Sequence, residues 1–128
     1  PICLFKRTAI AEMVHIEQLA ERVLFLDGEV EMKASEEVNK IHDVKEMLEK
    51  ASNMESSSVE DYNKWANECS ANNDASSKKL FESLVEDEEG HLDQFDDEIE
   101  NMNKFGDNYL ALQSIERSKN IASGNTEE

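Results

Sequence analysis

Proline and glycine are scarce in this sequence. Pro1 is the only proline, and the four glycines are Gly28, Gly90, Gly106 and Gly124. Sandwiches and barrels of short strands need far more turn punctuation, so those folds are excluded. Cysteine is limited to Cys3 and Cys69, whose separation matches no metal-finger spacing; they read as small thiols in a reducing compartment. Basic residues are few, 13 Lys and Arg against 30 Asp and Glu, for a net charge of −17. That balance excludes a nucleic-acid phosphate binder. No apolar run approaches the roughly 20 residues that span a bilayer. The opening PICLFKRTAI carries its basic pair after its apolar stretch, unlike a signal peptide. What is present is one small, acidic, helical domain of 128 residues, 38% hydrophobic, with a thin core and a cytoplasmic location expected.

Apolar residues recur at steps of three and four in three long segments, the mark of one helix face. The first stripe is Ile2, Phe5, Ala9, Glu12, Ile16, Leu19, Val23 and Leu26, stopped at Asp27-Gly28. A polar stretch, Glu29 to Asn39, is longer than a bundle hairpin and suits a crossing over the bundle end. The second stripe is Ile41, Val44, Leu48, Ala51, Glu55, Val59, Tyr62, Ala66 and Cys69. Ser70 to Asp74 breaks it, with Asp74 suited to cap the next helix. The third stripe is Ser77, Phe81, Leu84, Glu88, His91, Phe95, Ile99 and Met102, ending at Phe105-Gly106. A short helix is expected over Asn108 to Arg117, and a disordered tail over Ser118 to Glu128. The expected architecture is all-α: three long helices of a bundle and a short C-terminal helix, residues 1–117 forming the domain.

Carboxylates interrupt all three stripes, at Glu12, Glu55 and Glu88. His15 follows Glu12 by three residues and His91 follows Glu88 by three, so each pair leaves its helix on one side. Burying unpaired carboxylates costs several kcal/mol each, and a central cation removes that penalty. Oxygen ligands with one imidazole per ion suit iron or manganese, with zinc also open. A lone Glu-x-x-His in so acidic a chain is ordinarily a solvated pair. Two of them on core-facing stripes, with a third stripe also broken by Glu, point to metal. His42, beside Asp43 and Lys45, reads as a surface residue. The run Glu82 to Glu100 holds ten acids and no Lys or Arg, either a solvated face or one that attracts cations.

At these residues the chain resembles bacterioferritin, a ferritin-like di-iron family. Glu12-Met13-Val14-His15 with Leu19 to Gly28 resembles that family's second helix, Asp87-Glu88-Glu89-Gly90-His91 its fourth, and Asn108-Tyr109-Leu110 its short C-terminal helix. The resemblance implies a ferritin-like four-helix bundle with a ferroxidase site. Fe(II) would be oxidised by oxygen or peroxide, with Glu12, His15, Glu55, Glu88 and His91 as catalytic residues and metal ligands. It also implies storage of ferric mineral in a hollow 24-subunit shell lined by acids. Haem b would lie between two subunits, with Met13 as axial ligand; plain interface packing is the alternative for Met13.

The sequence departs from the family in two ways. The family's first helix, which supplies a further carboxylate, has no counterpart, because Pro1 already stands near the start of the second. The sequence is expected to be either incomplete at its N-terminus or that of a short subunit whose site is open or completed by another chain. Arg7 and Ala11 replace the His and Asp of an accessory inner-surface iron site. A competing functional reading is a non-catalytic, haem-bearing or structural shell subunit. A rubrerythrin-type peroxidase is disfavoured, since no four-cysteine site exists.

Overall fold

Four helices follow one another: α1 (Ile2–Phe25), α2 (Val44–Ala71), α3 (Ala75–Phe105) and α4 (Asp107–Ala122). The computed structural model describes residues 1–124. Their ends carry local signals. After α1 the chain enters the left-handed region at Asp27, φ 59°, and the Gly28 N–H donates back to Val23 C=O at 2.9 Å. A Cβ on Gly28 would lie 2.8 Å from a Val23 methyl, so this close return needs glycine. Asn73, also at φ 59°, makes the equivalent turn after α2. Asp74 then caps α3, as the sequence suggests, accepting from the Ser77 N–H at 3.0 Å. Gly106, at φ 62° and ψ −154°, separates α3 from α4 in a conformation essentially confined to glycine.

Two boundaries differ from the sequence reading. Helix α2 starts at Val44, not Ile41, because the Asp43 carboxylate accepts from the Glu46 N–H at 2.8 Å and fixes the N-cap there. Helix α4 continues past Arg117 to Ala122, so the start of the expected tail is helical. Residues 125–128 of that tail lie outside the described residues.

Leu4, Leu48 and Phe95 form the buried core, with Phe5, Val44, Ala51, Ile99 and Met102 packed around them. Arg22, near the other end of α1, donates to Ser77 Oγ at 2.7 Å and to Asp74 Oδ1 at 2.8 Å at the start of α3. These contacts place α1 antiparallel to α3. The short Asn72–Asp74 turn makes α2 antiparallel to α3 as well, so α1 and α2 run parallel. The connection over residues 26–43 must therefore travel the bundle's length, about 36 Å for a helix the size of α1. It does more than cross an end.

Both α1 and α2 pack against α3; among the described residues their backbones stay apart, and they meet only through side chains such as Glu12 and Glu55. Among the described residues, α3 thus stands between α1 and α2. The consequence appears on α1. Leu4, Thr8 and His15 are its buried residues, while Ile2, Ile16 and Val23 of the anticipated stripe are exposed, as is Leu26 beyond the helix end. The stripe is apolar as read, but much of it is exposed. The stripes of α2 and α3 face inward, with Leu48, Glu55, Ala66, Leu84, Glu88 and Phe95 buried.

Candidate metal centre

Between the Leu4–Leu48–Phe95 core and the Arg22–Asp74–Ser77 clasp, the three long helices turn polar side chains toward one point. Glu12 and His15 come from α1, Glu55 from α2, and Glu88 and His91 from α3. One ligand atom each from Glu12, Glu55, Glu88 and His91 lies within 4.8 Å of the others. His91 Nδ1 is 3.2 Å from Glu88 Oε2, 3.3 Å from Glu12 Oε1 and 3.7 Å from Glu55 Oε2. His15 Nδ1 is 3.0 Å from Glu88 Oε1 and 3.4 Å from Glu12 Oε2. The imidazoles stack with ring centroids 5.9 Å apart. Glu88 and His15 side chains are 1% and 4% exposed, whereas Glu12 is 40% exposed.

The donor set fits a cation. Glu12 Oε1, Glu88 Oε1 and His15 Nδ1 are buried without a hydrogen bond. His15 Nε2 donates to Asp87 Oδ2 at 3.1 Å, which leaves Nδ1 facing two carboxylate oxygens. Such a nitrogen, aimed between acceptors yet unaligned with either, is completed by a positive ion. The carboxylates register their burial and mutual repulsion. Burial, with the Glu88 carboxyl beside it, pushes Glu55 up to about 9. Glu12 rises through burial and the nearness of Glu88. Tyr62, one layer along α2, is pushed up to about 12 by burial and by Glu88, Glu12 and Glu55.

Two residues here escaped the sequence reading. Asp87 was masked by its acidic run, where it looks like one more solvated carboxylate; its offset from Glu88 turns it toward α1. Tyr62 looked like ordinary core and forms an aromatic group with Trp65 and Phe81 at ring distances of 5.6 to 5.9 Å. Met13 lies apart from the centre, 63% exposed. His42 is exposed, as anticipated.

Residues 3–105 match the Ferritin family, described as a ferritin-like domain. The chain belongs to the ferritin-like family. Its relatives include bacterioferritins, so the resemblance read from its motifs holds. It is 31% identical over 106 residues to bacterioferritin of Desulfovibrio desulfuricans, covering 83% of this chain and 59% of that protein. Against that of Rhodobacter capsulatus it is 30% identical over 107 residues, 84% and 66% of the two lengths. The chain thus spans about three-fifths to two-thirds of these relatives. The solved D. desulfuricans bacterioferritin, described with its di-iron site in different catalytic states, superposes with a TM-score of 0.80 at 31% identity, over 83% of this chain and 62% of the other. A mycobacterial bacterioferritin gives 0.78 at 28%, over 84% and 66%. These are four-helix bundles, and three long helices of that architecture are present here. Among the described residues, no helix is long and apolar enough to cross a membrane.

Proposed function

We propose that this ferritin-like chain binds iron at Glu12, His15, Glu55, Glu88 and His91 and acts as a ferroxidase in iron storage. The observation that carries the reading is the convergence of three carboxylates and two imidazoles with orphaned, buried donor atoms. Fe(II) is the substrate, and oxygen or peroxide takes its electron. Anionic oxygens stabilise the 3+ ion more than the 2+ ion, and the low-polarity surroundings strengthen that difference. Glu12 and Glu88 each present one oxygen to either histidine, so either carboxylate can hold two ions at once. Asp87 holds the His15 ring in the tautomer that leaves Nδ1 free to ligate. Stopped-flow oxidation of Fe(II) by the wild type and by Glu88→Ala tests the assignment. The substitution is expected to remove the saturable fast phase, and equal rates would remove the site.

Storage follows from the same reading. Ferric product would be deposited as mineral inside a 24-subunit shell, in the cytoplasm. Two observations support it. The exposed acids of α3, among them Glu86, Glu89, Asp93 and Asp97, offer a surface that attracts cations. Ile10, Met13 and Ile16, at helical spacing on α1, are 47% to 63% exposed and suit contact with another copy. Met13 offers one thioether there, a fitting axial ligand, so haem b would need a second copy for the other. A large assembly by sedimentation, with haem absorbance lost in Met13→Leu, is the expected result; haem retained in that variant would remove Met13 from the role.

The reading of a non-catalytic shell subunit draws on Glu12, whose side chain is 40% exposed. A purified protein that carries haem but lacks the saturable Fe(II) phase would favour it.

A further inference from the structure

We propose that Tyr62 and Trp65 form an electron relay to the metal centre, in which Tyr62 gives up one electron when peroxide meets a single bound Fe(II). The inference rests on the metal-binding reading above and adds to it the residues that supply electrons.

Position comes first. Tyr62 follows Glu55 by seven residues on α2, and Phe81 precedes Glu88 by seven on α3. Seven residues make nearly two turns, about 10.5 Å of rise, and return to the same helix face. Because α2 and α3 run antiparallel, both rings lie on the same side of the centre. There they meet, with Tyr62 and Phe81 ring centroids 5.9 Å apart. Trp65, a turn beyond Tyr62, lies 5.7 Å from it and 5.6 Å from Phe81. These are contact distances for aromatic pairs. All three contacts are made by α2 and α3 alone, so they stand whatever covers α1.

Chemistry separates the three rings. Phe81 is too hard to oxidise and acts as packing, while a phenol and an indole each release one electron readily. Trp65 is the only tryptophan of the chain, and Tyr62 is one of two tyrosines. That these two stack on each other beside the convergent carboxylates is the observation that carries the inference. Charge favours electron loss there. Burial and the carboxylates of Glu88, Glu12, Glu55 and Asp61 push the Tyr62 hydroxyl up to about 12, so the ring stands within the field of the centre. Charges that oppose a phenolate favour a positive hole on the ring, and carboxylates are bases for its proton.

Peroxide takes two electrons, and one Fe(II) supplies one. One Fe(II), one peroxide, the Tyr62 phenol and one proton give Fe(III), the neutral Tyr62 phenoxyl radical and two waters. The O–O bond breaks, Fe(II) and Tyr62 each lose an electron, and the phenolic proton with one from solvent completes the waters. Without the second electron the same encounter releases hydroxyl radical. Trp65 then accepts the hole from Tyr62 and carries it one ring further from the centre.

Freeze-quench electron paramagnetic resonance of the chain carrying one Fe(II), mixed with one equivalent of hydrogen peroxide, tests the step. A tyrosyl signal is expected in the wild type and in Tyr109→Phe, whose residue pairs with Glu98 toward the other end of α3. Tyr62→Phe, which keeps the ring and its packing, should lose the signal, and Trp65→Phe should prolong it. A signal that survives Tyr62→Phe, or none in the wild type, would overturn the relay. The metal-free chain gives a readout independent of iron. Azide radical from pulse radiolysis oxidises the single tryptophan, and the hole is expected to pass to tyrosine at a rate independent of protein concentration. Tyr62→Phe should abolish that transfer and Tyr109→Phe should leave it; its absence in the wild type would also overturn the relay. Transfer in a chain that retains no iron would overturn the metal-binding reading and remove the relay's acceptor, with the Tyr62–Trp65 pair left standing.

Discussion

Replacing Glu55 with leucine is expected to make the metal-free protein more stable and to remove most of its stabilisation by metal. Glu55 is buried, and its proton is held up to a pKa of about 9 because burial and the neighbouring Glu88 oppose its charge. A leucine of similar volume carries no such cost. Exchanges of buried ionic groups for apolar ones are often neutral or stabilising by about 1 to 4 kcal/mol. With metal the order should invert. A ligand at a thousand times its dissociation constant stabilises the form it binds by about 4 kcal/mol. Glu55→Leu, lacking one of four donors, forfeits much of that gain. Thermal unfolding with and without Zn(II) checks both halves. Should Glu55→Leu lower the metal-free midpoint, the carboxylate would be a paired structural element and not a ligand held in reserve.

The contrast between α1 and the other helices shows what the sequence could reveal. On α2 and α3 the stripes named the buried face correctly, because these two helices pack extensively on each other, whereas α1 touches α3 over a smaller area. Glu55 and Glu88 stood out there as acids at leucine positions, and both are buried. On α1 the same periodicity named a face about one residue's rotation away from the buried one. Leu4, Thr8 and His15 are buried, while Ile2, Ile16 and Val23 are exposed. Periodicity reports that a face is apolar without saying which neighbour covers it. Glu12 lies on the border of these two faces, which is why it reaches the centre and remains 40% exposed.

The rest of the site was legible only in part for a similar reason. Glu-x-x-His spacing fixes that a carboxylate and an imidazole share a side, which put Glu12, His15, Glu88 and His91 in the right set of candidates. Spacing cannot say which nitrogen points inward. Asp87 decides this for His15, through a contact between residues 72 positions apart in the chain. Nor did the sequence show that the connection over residues 26–43 runs lengthwise. That follows from α1 and α2 both lying antiparallel to α3, a fact of packing and not of local pattern.

The metal-free protein should lose stability as pH rises from about 5 toward 9, and metal should reverse the trend. A carboxyl whose folded pKa lies above its unfolded value binds its proton more tightly in the folded state. For Glu55 that advantage is complete below its ordinary value of 4.5 and is lost as pH climbs through about 9. Glu12 shifts in the same direction. Asp74, held below its ordinary value chiefly by its hydrogen bonds to Ser77, acts oppositely and loses its contribution only on acidification below the carboxylate range. One proton gives a slope of at most about 1.4 kcal/mol per pH unit. A cation must displace the Glu55 proton, so its affinity climbs with pH over the same window, by up to about tenfold per unit. Urea midpoints at several pH values, with and without Zn(II), should therefore fall for the first series and hold or rise for the second. Because a chain of net charge −17 also repels itself more as pH rises, Glu55→Leu is the control: its metal-free slope should be shallower. Equal slopes in the two proteins would mean that Glu55 is already ionised without metal, and that the charge of the three carboxylates is offset within the protein itself.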